Sequence, residues 1–180
     1  MELKLSKPRG AADWLRLYRL YLEAFPVTER KPWGMIRKMY RLGKTDVWCL
    51  LGNGKFAGLA ITINSPDIIL LDYLAVCGSC RGQGVGTAAL QALRSHYPGM
   101  GLFVEIESTL APTPDLQLRL RRKAFYLRSG MTEMHTTAKL FGVDMELLGY
   151  DCHLDYDGYK AFYFHHYNAW AADHIQKASN

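Results

Sequence analysis

The sequence lacks the long apolar run that a membrane-spanning segment requires. Its 180 residues contain no stretch of the roughly 18 consecutive apolar residues that cross a bilayer. The N-terminal residues also lack the apolar core of a secretory signal peptide. A long basic tract is missing too, which argues against a nucleic-acid-binding arm. We therefore expect a cytoplasmic protein that contacts neither membranes nor nucleic acid.

Cysteine is scarce, with four residues in the whole chain. This number is too small for a disulfide framework in a chain of this length. Cys77 and Cys80 form one C-x-x-C pair, but a zinc site needs two more ligands and there is no second pair. We therefore predict no metal. The pair is interpreted as two small loop residues, with a redox pair at a helix start as the alternative.

The net charge of +5 permits an anionic ligand without identifying one. The densest basic cluster follows the periodicity of one helix. A solvated helix face is the first interpretation, and contact with phosphate groups or an acidic substrate is the alternative. The cluster comprises Arg119, Arg121, Arg122, Lys123 and Arg128.

The pattern of apolar residues and turns predicts the element order β-α-α-β-β-β-α-β-α-β-β-α. This order indicates a mixed α/β (α+β) fold with a mostly antiparallel sheet. Asp13 is the predicted N-cap of the first helix. The length predicts a single domain over residues 1–150 and a helical extension over 151–180 packed on the same domain. Predicted strands lie at 2–6, 46–51, 55–64, 68–76, 101–107, 132–140 and 143–150, and the later helices at 84–97, 116–129 and about 157–176.

Three glycines at alternate positions lie between the buried strand 68–76 and the helix that follows. Gly82, Gly84 and Gly86 allow a ligand to approach the backbone closely, and Arg81 adds a positive charge. Successive N–H groups at a helix start bind anions. The segment therefore predicts a phosphate-binding strand–loop–helix unit.

Two familiar phosphate motifs fit this segment poorly. A nucleoside-triphosphate loop needs a lysine after its second glycine, and counting from Gly82 the sixth position is Thr87 with no lysine after it. Residues 84–89 do match a dinucleotide fingerprint, with Glu105 and Glu107 near the expected ribose-binding position. However, that fingerprint starts at the end of a strand within a βαβ unit, whereas the strands here are hairpin-linked and a longer loop intervenes.

The fuller segment resembles the pyrophosphate loop of the GCN5-related N-acetyltransferase (GNAT) family. That loop has an apolar strand ending in L-A-V, four loop residues, and then R-G-x-G-x-G, and residues 74–86 match at every position. Residues 125–131, Phe-Tyr-Leu-Arg-Ser-Gly-Met, resemble the end of the family's fourth helix. The resemblance covers about 150 residues. It implies the GNAT fold, with the fourth and fifth strands splayed into a cleft.

The resemblance implies an acetyl-CoA-dependent N-acetyltransferase. Acetyl-CoA is then a cosubstrate, with no metal, and a primary amine of a small molecule attacks it directly in a ternary complex. A protein or peptide acetyltransferase and a non-catalytic acyl-CoA-binding regulatory module are the alternatives. The implied cofactor-binding residues are Leu74, Ala75, Val76, Arg81, Gly82, Gln83, Gly84, Val85, Gly86 and Thr87.

The same resemblance places a general acid at Tyr126, which would protonate the leaving thiolate. Glu105 and Glu107 lie on one side of their strand, by the two-residue period, and are candidates for the base or for binding a cationic substrate. The glutamate of the histone-acetylating branch is replaced by Leu70, so histone-type activity is not expected.

The acceptor-binding residues are predicted on the side walled by the first two helices. Glu29, Trp33 and Tyr73 are the candidates, and their acid and aromatic character favours a small cationic amine. The aromatic-rich last helix is a candidate surface for a homodimer.

Overall fold

The structure, a computed structural model, describes residues 2–178. This part of the chain forms eight β-strands and six α-helices, with short 3-10 turns at Val27–Glu29 and Gly78–Cys80. The strands are β1 Leu3–Ser6, β2 Thr45–Gly52, β3 Lys55–Asn64, β4 Ile68–Val76, β5 Gly101–Glu107, β6 Thr132–Leu140, β7 Val143–Tyr150 and β8 Ile175–Lys177. The helices are α1 Ala11–Ala24, α2 Trp33–Arg41, α3 Val85–His96, α4 Leu116–Arg128, α5 Tyr156–His166 and α6 Ala169–Asp173.

The chain divides into two compact units. The first comprises Met1–Asn64 and Leu71–Pro98. Its strands follow the order β1-β2-β3-β4, and β2 pairs with β1 and β3 in antiparallel register. One face of these strands is covered by α1 and α2. The buried residues of this core are Leu17, Leu20, Tyr21, Ile36, Val47, Cys49, Leu59, Ile61, Tyr73 and Ala75.

The second unit comprises Ser65–Leu70 and Gly99–Asn180. The first residues of β4 pair with β5 in parallel register, from Ile68 opposite Gly101 to Leu70 opposite Phe103. The remaining pairs, β5 with β7, β7 with β6 and β6 with β8, are antiparallel. Beyond the parallel ladder, β4 continues to Val76 and β5 to Glu107.

These strands confirm the predicted mixed α/β fold with a mostly antiparallel sheet. Five strands have the predicted boundaries, namely 55–64, 68–76, 101–107, 132–140 and 143–150. The predicted division into residues 1–150 and an extension over 151–180 stays a prediction. Residues 1, 179 and 180, at the ends of these two ranges, lie outside the described part.

Two details of the prediction were wrong. Gly10, not Asp13, is the N-cap of α1, and Asp13 lies in its first turn, where its carboxylate accepts from the Arg9 N–H at 3.0 Å. The single last helix is instead α5 and α6, followed by β8. Asn168 separates the two helices because its side chain caps α6, accepting from the Ala171 N–H at 2.9 Å.

Of the helices in the described range, none combines the length and the apolar character that a membrane crossing needs.

Candidate functional site

The glycine loop begins where β4 leaves its neighbour β3. The Cys77 N–H donates to the Ala57 carbonyl at 2.9 Å, and the chain then makes the 3-10 turn Gly78–Cys80. The loop is braced by its own side chains. The Gln83 amide donates to the Ser79 carbonyl at 2.9 Å, and the exposed Arg81 donates to the Val76 carbonyl at 3.3 Å.

Two loop glycines have the left-handed backbone conformation that favours glycine. The φ angles of Gly82 and Gly84 are 75° and 78°. A Cβ added at either position would meet no atom of the described chain within 4 Å, so this side of the loop is open. A side chain there would occupy space that a ligand needs to reach the backbone.

Helix α3 starts directly from Gly84, its N-cap residue. Because the N-cap residue is glycine, it has no side chain that could cap this helix start. The first N–H groups of a helix have no acceptor inside the helix, and they carry its partial positive charge. With the open loop and Arg81, this helix start has the chemistry of an anion site. Because α3 has 12 residues, its aligned peptide dipoles add to that effect.

The end of β4 leaves one backbone donor directed away from β3. N–H groups alternate between the two edges of a strand, and the Cys77 N–H points to β3. The Val76 N–H therefore lies on the opposite edge. Gly58 permits the close approach of β3 on the other side, because a Cβ there would collide with the Ala75 carbonyl oxygen. Sequence analysis missed Gly58, and a glycine inside a strand was the available signal.

The C-x-x-C pair does not have the character of an activated thiol pair. All four cysteines are free, and burial raises the pKa of the Cys77 thiol instead of lowering it. In the described range, no group of three or more His, Cys, Asp or Glu side chains is arranged to hold a metal ion.

The segment between α1 and α2 is tied to β4 by hydrogen bonds. The buried Tyr73 hydroxyl donates to the Glu29 carbonyl at 2.8 Å and accepts from the Lys31 N–H at 3.1 Å. The Lys31 ammonium binds both carboxylate oxygens of Asp72, at 2.8 and 2.7 Å. The Tyr21 hydroxyl donates to the Lys31 carbonyl at 3.0 Å. Burial, the main cause, raises the pKa of the Tyr73 hydroxyl, so it stays protonated.

The other two acceptor-side candidates lie at the ends of this tied segment. Glu29 is exposed on the short 3-10 turn. Trp33 is the first residue of α2 and contacts three aromatic rings of α1, those of Trp14, Tyr18 and Tyr21, at centroid distances of 6.0, 5.3 and 5.2 Å. The structure thus brings Tyr73 into direct contact with the Glu29 backbone and places Trp33 in an aromatic cluster.

Tyr126 lies near the end of α4 in the second unit, beside Phe125 at a ring distance of 5.0 Å. Burial raises the pKa of its hydroxyl to about 12, opposed by the nearby Arg122. Among residues 2–178, this hydroxyl has no hydrogen-bond partner. Because this protonated hydroxyl holds no other group of the described chain, it can donate a hydrogen bond to a ligand.

Glu105 and Glu107 share a face of β5 as predicted, but different partners bind them. The Glu107 carboxylate pairs with two guanidinium groups, those of Arg119 at 3.2 Å and Arg122 at 3.5 Å. Glu105 instead accepts from two hydroxyls of α5, those of Tyr159 and Tyr163. The arginine pairs also show that part of the basic cluster of α4 is engaged with carboxylates.

A third carboxylate in this part of the sheet, Glu146, was missed by the sequence analysis. It is buried on β7, binds the Lys123 ammonium, and accepts from the N–H and the hydroxyl of Thr109, the latter at 2.8 Å. Burial alone would raise the pKa of Glu146, but the bonds from Lys123 and Thr109 outweigh burial and lower it. Lys123 also pairs with Glu133 at 2.9 Å. Nothing in the sequence around Glu146 indicates that its side chain binds Lys123 and Thr109.

The comparisons with known proteins agree on one family. Residues 14–130 match the family model described as "Acetyltransferase (GNAT) family". A search of curated proteins found no match to the chain.

Several solved structures share the fold. A protein assigned to the GNAT acetyltransferases from Bacteroides thetaiotaomicron superposes with a TM-score of 0.77 at 16% identity, covering 96% of this chain and 99% of its own. The ribosomal-protein-S18-alanine N-acetyltransferase from Escherichia coli gives a TM-score of 0.58 at 20% identity, with 85% and 96% covered. Arabidopsis thaliana Naa50, in complex with the bisubstrate analogue CoA-Ac-MVNAL, gives a TM-score of 0.61 at 15% identity. The superposition covers 84% of this chain and 100% of the Naa50 chain.

Proposed function

The chain belongs to the GNAT acetyltransferase family, an acyl-CoA-dependent N-acetyltransferase family, and on this premise we propose that it transfers the acetyl group of acetyl-CoA to a primary amine. The amine nitrogen attacks the thioester carbonyl carbon directly in a ternary complex. The new C–N bond forms as the C–S bond breaks. The amine loses a proton and the departing thiolate gains one.

The observation that carries this proposal is the open glycine loop at the start of α3. Gly82 and Gly84 leave the backbone accessible, and the N–H groups of residues 81–87 are the proposed ligands of the pyrophosphate. Arg81 would add a charge-assisted contact. Naa50, which shares the fold, was solved with a CoA-containing analogue, so a CoA ligand is the natural candidate for the loop.

Two donors suit the reacting thioester. The Val76 N–H, on the edge of β4 directed away from β3, would hold the carbonyl oxygen as it gains negative charge. Tyr126 would give its proton to the thiolate. Its raised pKa keeps the hydroxyl protonated over the working pH range, which is the form that an acid needs.

Glu105 is the better of the two candidate bases. Both carboxylate oxygens of Glu107 are paired with guanidinium groups, those of Arg119 and Arg122, so this carboxylate is less available to a substrate amine. Glu105 accepts hydrogen bonds from two neutral hydroxyls at one carboxylate oxygen, Oε1. An unperturbed lysine-like amine has a pKa of about 10.4, so a carboxylate that takes its proton, directly or through water, would assist the attack.

The acceptor proposed first is a small cationic amine. The exposed carboxylate of Glu29 and the ring of Trp33 offer a charge contact and a cation–π contact to such an amine. Tyr73 would affect acceptor binding indirectly, because its hydroxyl holds the segment between α1 and α2 that carries Glu29. Peptide α-amines are the second class, because the Escherichia coli structure with this fold is named for acetylation of a protein alanine.

The proposal is tested by measuring free thiol released from acetyl-CoA across a panel of amines. The panel contains small polyamines and aminoglycosides, lysine, and short peptides with free N-termini. Release that depends on one amine class, with the acetylated amine detected by mass spectrometry, supports the proposal and identifies the acceptor class. Tight CoA binding without release for any amine would instead support a non-catalytic CoA-binding module.

A further inference from the structure

A helix outside the segment that matches the family model supplies two partners to Glu105. The Tyr159 hydroxyl donates to Glu105 Oε1 at 2.7 Å, and the Tyr163 hydroxyl donates to the same oxygen at 2.8 Å. Both tyrosines lie on α5, whereas the family match ends at residue 130. The contact therefore joins a strand inside the matched segment to a helix outside it.

The two tyrosines are fixed by packing, so their hydroxyls have little freedom. Tyr159 is 0% exposed and Tyr163 is 2% exposed. A spacing of four residues places them on one face of α5, and their rings contact each other at 5.3 Å. The Tyr159 ring also contacts Phe103, which shares the β5 face of Glu105. A buried tyrosine hydroxyl needs a partner, and Glu105 provides it for both residues.

We propose that Tyr159 and Tyr163 are positioning residues that hold the Glu105 carboxylate in one orientation and favour its ionised form. This inference rests on the proposed function, in which Glu105 accepts the proton of the amine. Glu105 must be ionised at neutral pH to accept that proton, and partial burial alone would disfavour its charge. Two hydroxyl donors on one carboxylate oxygen oppose that effect, because they bind the ionised form more strongly.

The acidic neighbour of Glu105 on β5 is bound by α4. Glu107, two residues along the same face, is paired with Arg119 and Arg122 of α4. Opposite Glu105 on β7 lies the apolar Leu147.

Two other titratable groups on the flanking elements have different partners. Glu146 of β7 lies opposite Ile106 and binds Lys123. On α5, the buried His166 stacks on the Phe162 ring.

The test measures the protonation of Glu105 directly. Protein labelled with 13C at the glutamate side-chain carboxyl carbons is titrated by NMR, and the Glu105 resonance is assigned from a Glu105→Gln variant. In the Tyr159→Phe/Tyr163→Phe protein, we expect the Glu105 midpoint to rise by about one pH unit. Tyr156→Phe is the matched control, because it removes a hydroxyl of α5 that bonds the Ile175 carbonyl at 2.9 Å instead of Glu105.

A midpoint that does not move in the double variant, or that moves equally in Tyr156→Phe, overturns the inference. The two single variants are titrated as well, each with an expected smaller rise, so that a double variant that fails to fold still leaves a decisive result. This titration needs no turnover, and its outcome is therefore separate from the thiol-release assay. Once an acceptor is known, the acid limb of kcat/KM should shift upward in the double variant and stay in place in Tyr156→Phe.

Discussion

The Tyr73 hydroxyl lies 2.8 Å from the Glu29 carbonyl oxygen and donates a hydrogen bond to it. This bond joins the strand that precedes the glycine loop to the connection between the first two helices. Lys31, bound to the same hydroxyl and to Asp72, strengthens the joint. The strand proposed to line the thioester and the segment proposed to meet the amine are thus held together within one unit.

Tyr73→Phe should loosen this joint. The substitution removes a hydrogen bond donated to one backbone group and one accepted from another, so we expect a loss of about 1–3 kcal/mol in the free energy of unfolding. Acceptor KM should rise while CoA affinity stays near wild type. Denaturant unfolding and steady-state kinetics measure the two effects. Tyr40→Phe is the control, because the Tyr40 hydroxyl has no hydrogen-bond partner among residues 2–178. Equal changes in the free energy of unfolding and in acceptor KM in both variants would show that the Tyr73 hydrogen bonds do not support the acceptor side.

Tyr126→Phe should lower kcat by about a hundredfold while CoA affinity stays unchanged, because only the proton donor is lost. Since burial raises the pKa of this hydroxyl to about 12, it should keep its proton well above neutral pH. The wild-type pH profile of kcat should therefore show no alkaline limb from Tyr126 up to about pH 10. Stopped-flow or steady-state assays from pH 6 to 10 measure this. Full turnover in the variant would remove Tyr126 from the mechanism.

Glu146→Gln should destabilise the protein by about 1–3 kcal/mol at pH 7, because a buried carboxylate bound to Lys123 and Thr109 is lost. The folded-state pKa of Glu146 is lowered, so its contribution is full at neutral pH and declines as the pH falls below about 5. The difference in the free energy of unfolding between wild type and variant, measured in urea, should therefore become smaller as the pH falls. Glu133→Gln is the control, since Glu133 also pairs with Lys123 but is 38% exposed. A difference independent of pH would contradict this account.

The strands and the glycine loop were predictable because local pattern determines them. Alternating and continuous apolar runs, with Asn53-Gly54 and Gly142 at the turns, specify the hairpins without long-range information. Gly82 and Gly84 have the positive φ angles that make glycine necessary, so their sequence signal and their structural role coincide.

Contacts between residues far apart in sequence were not predictable. Glu105 and Tyr159 are 54 positions apart, and nothing in either segment indicates that the hydroxyl meets the carboxylate. The break of the last helix depends on the Asn168 side chain capping α6, in a stretch whose apolar spacing continues through it. Gly10 is an accepted type of N-cap residue, but aspartate ranks above glycine by type, so propensity alone favoured Asp13 as the cap of α1.

The central claim is that the loop at the start of α3 binds the pyrophosphate of CoA, and calorimetric titration of CoA into Gly84→Asp tests it most directly. The added carboxylate faces the open side of the loop and would repel the phosphates, so affinity should fall by about tenfold or more. Gly43→Asp is the matched control, because Gly43 also has a positive φ, of 70°, and open space at its Cβ. We expect wild-type affinity in Gly43→Asp and weak or undetectable binding in a folded Gly84→Asp. Unchanged CoA affinity in a folded Gly84→Asp protein would contradict the account.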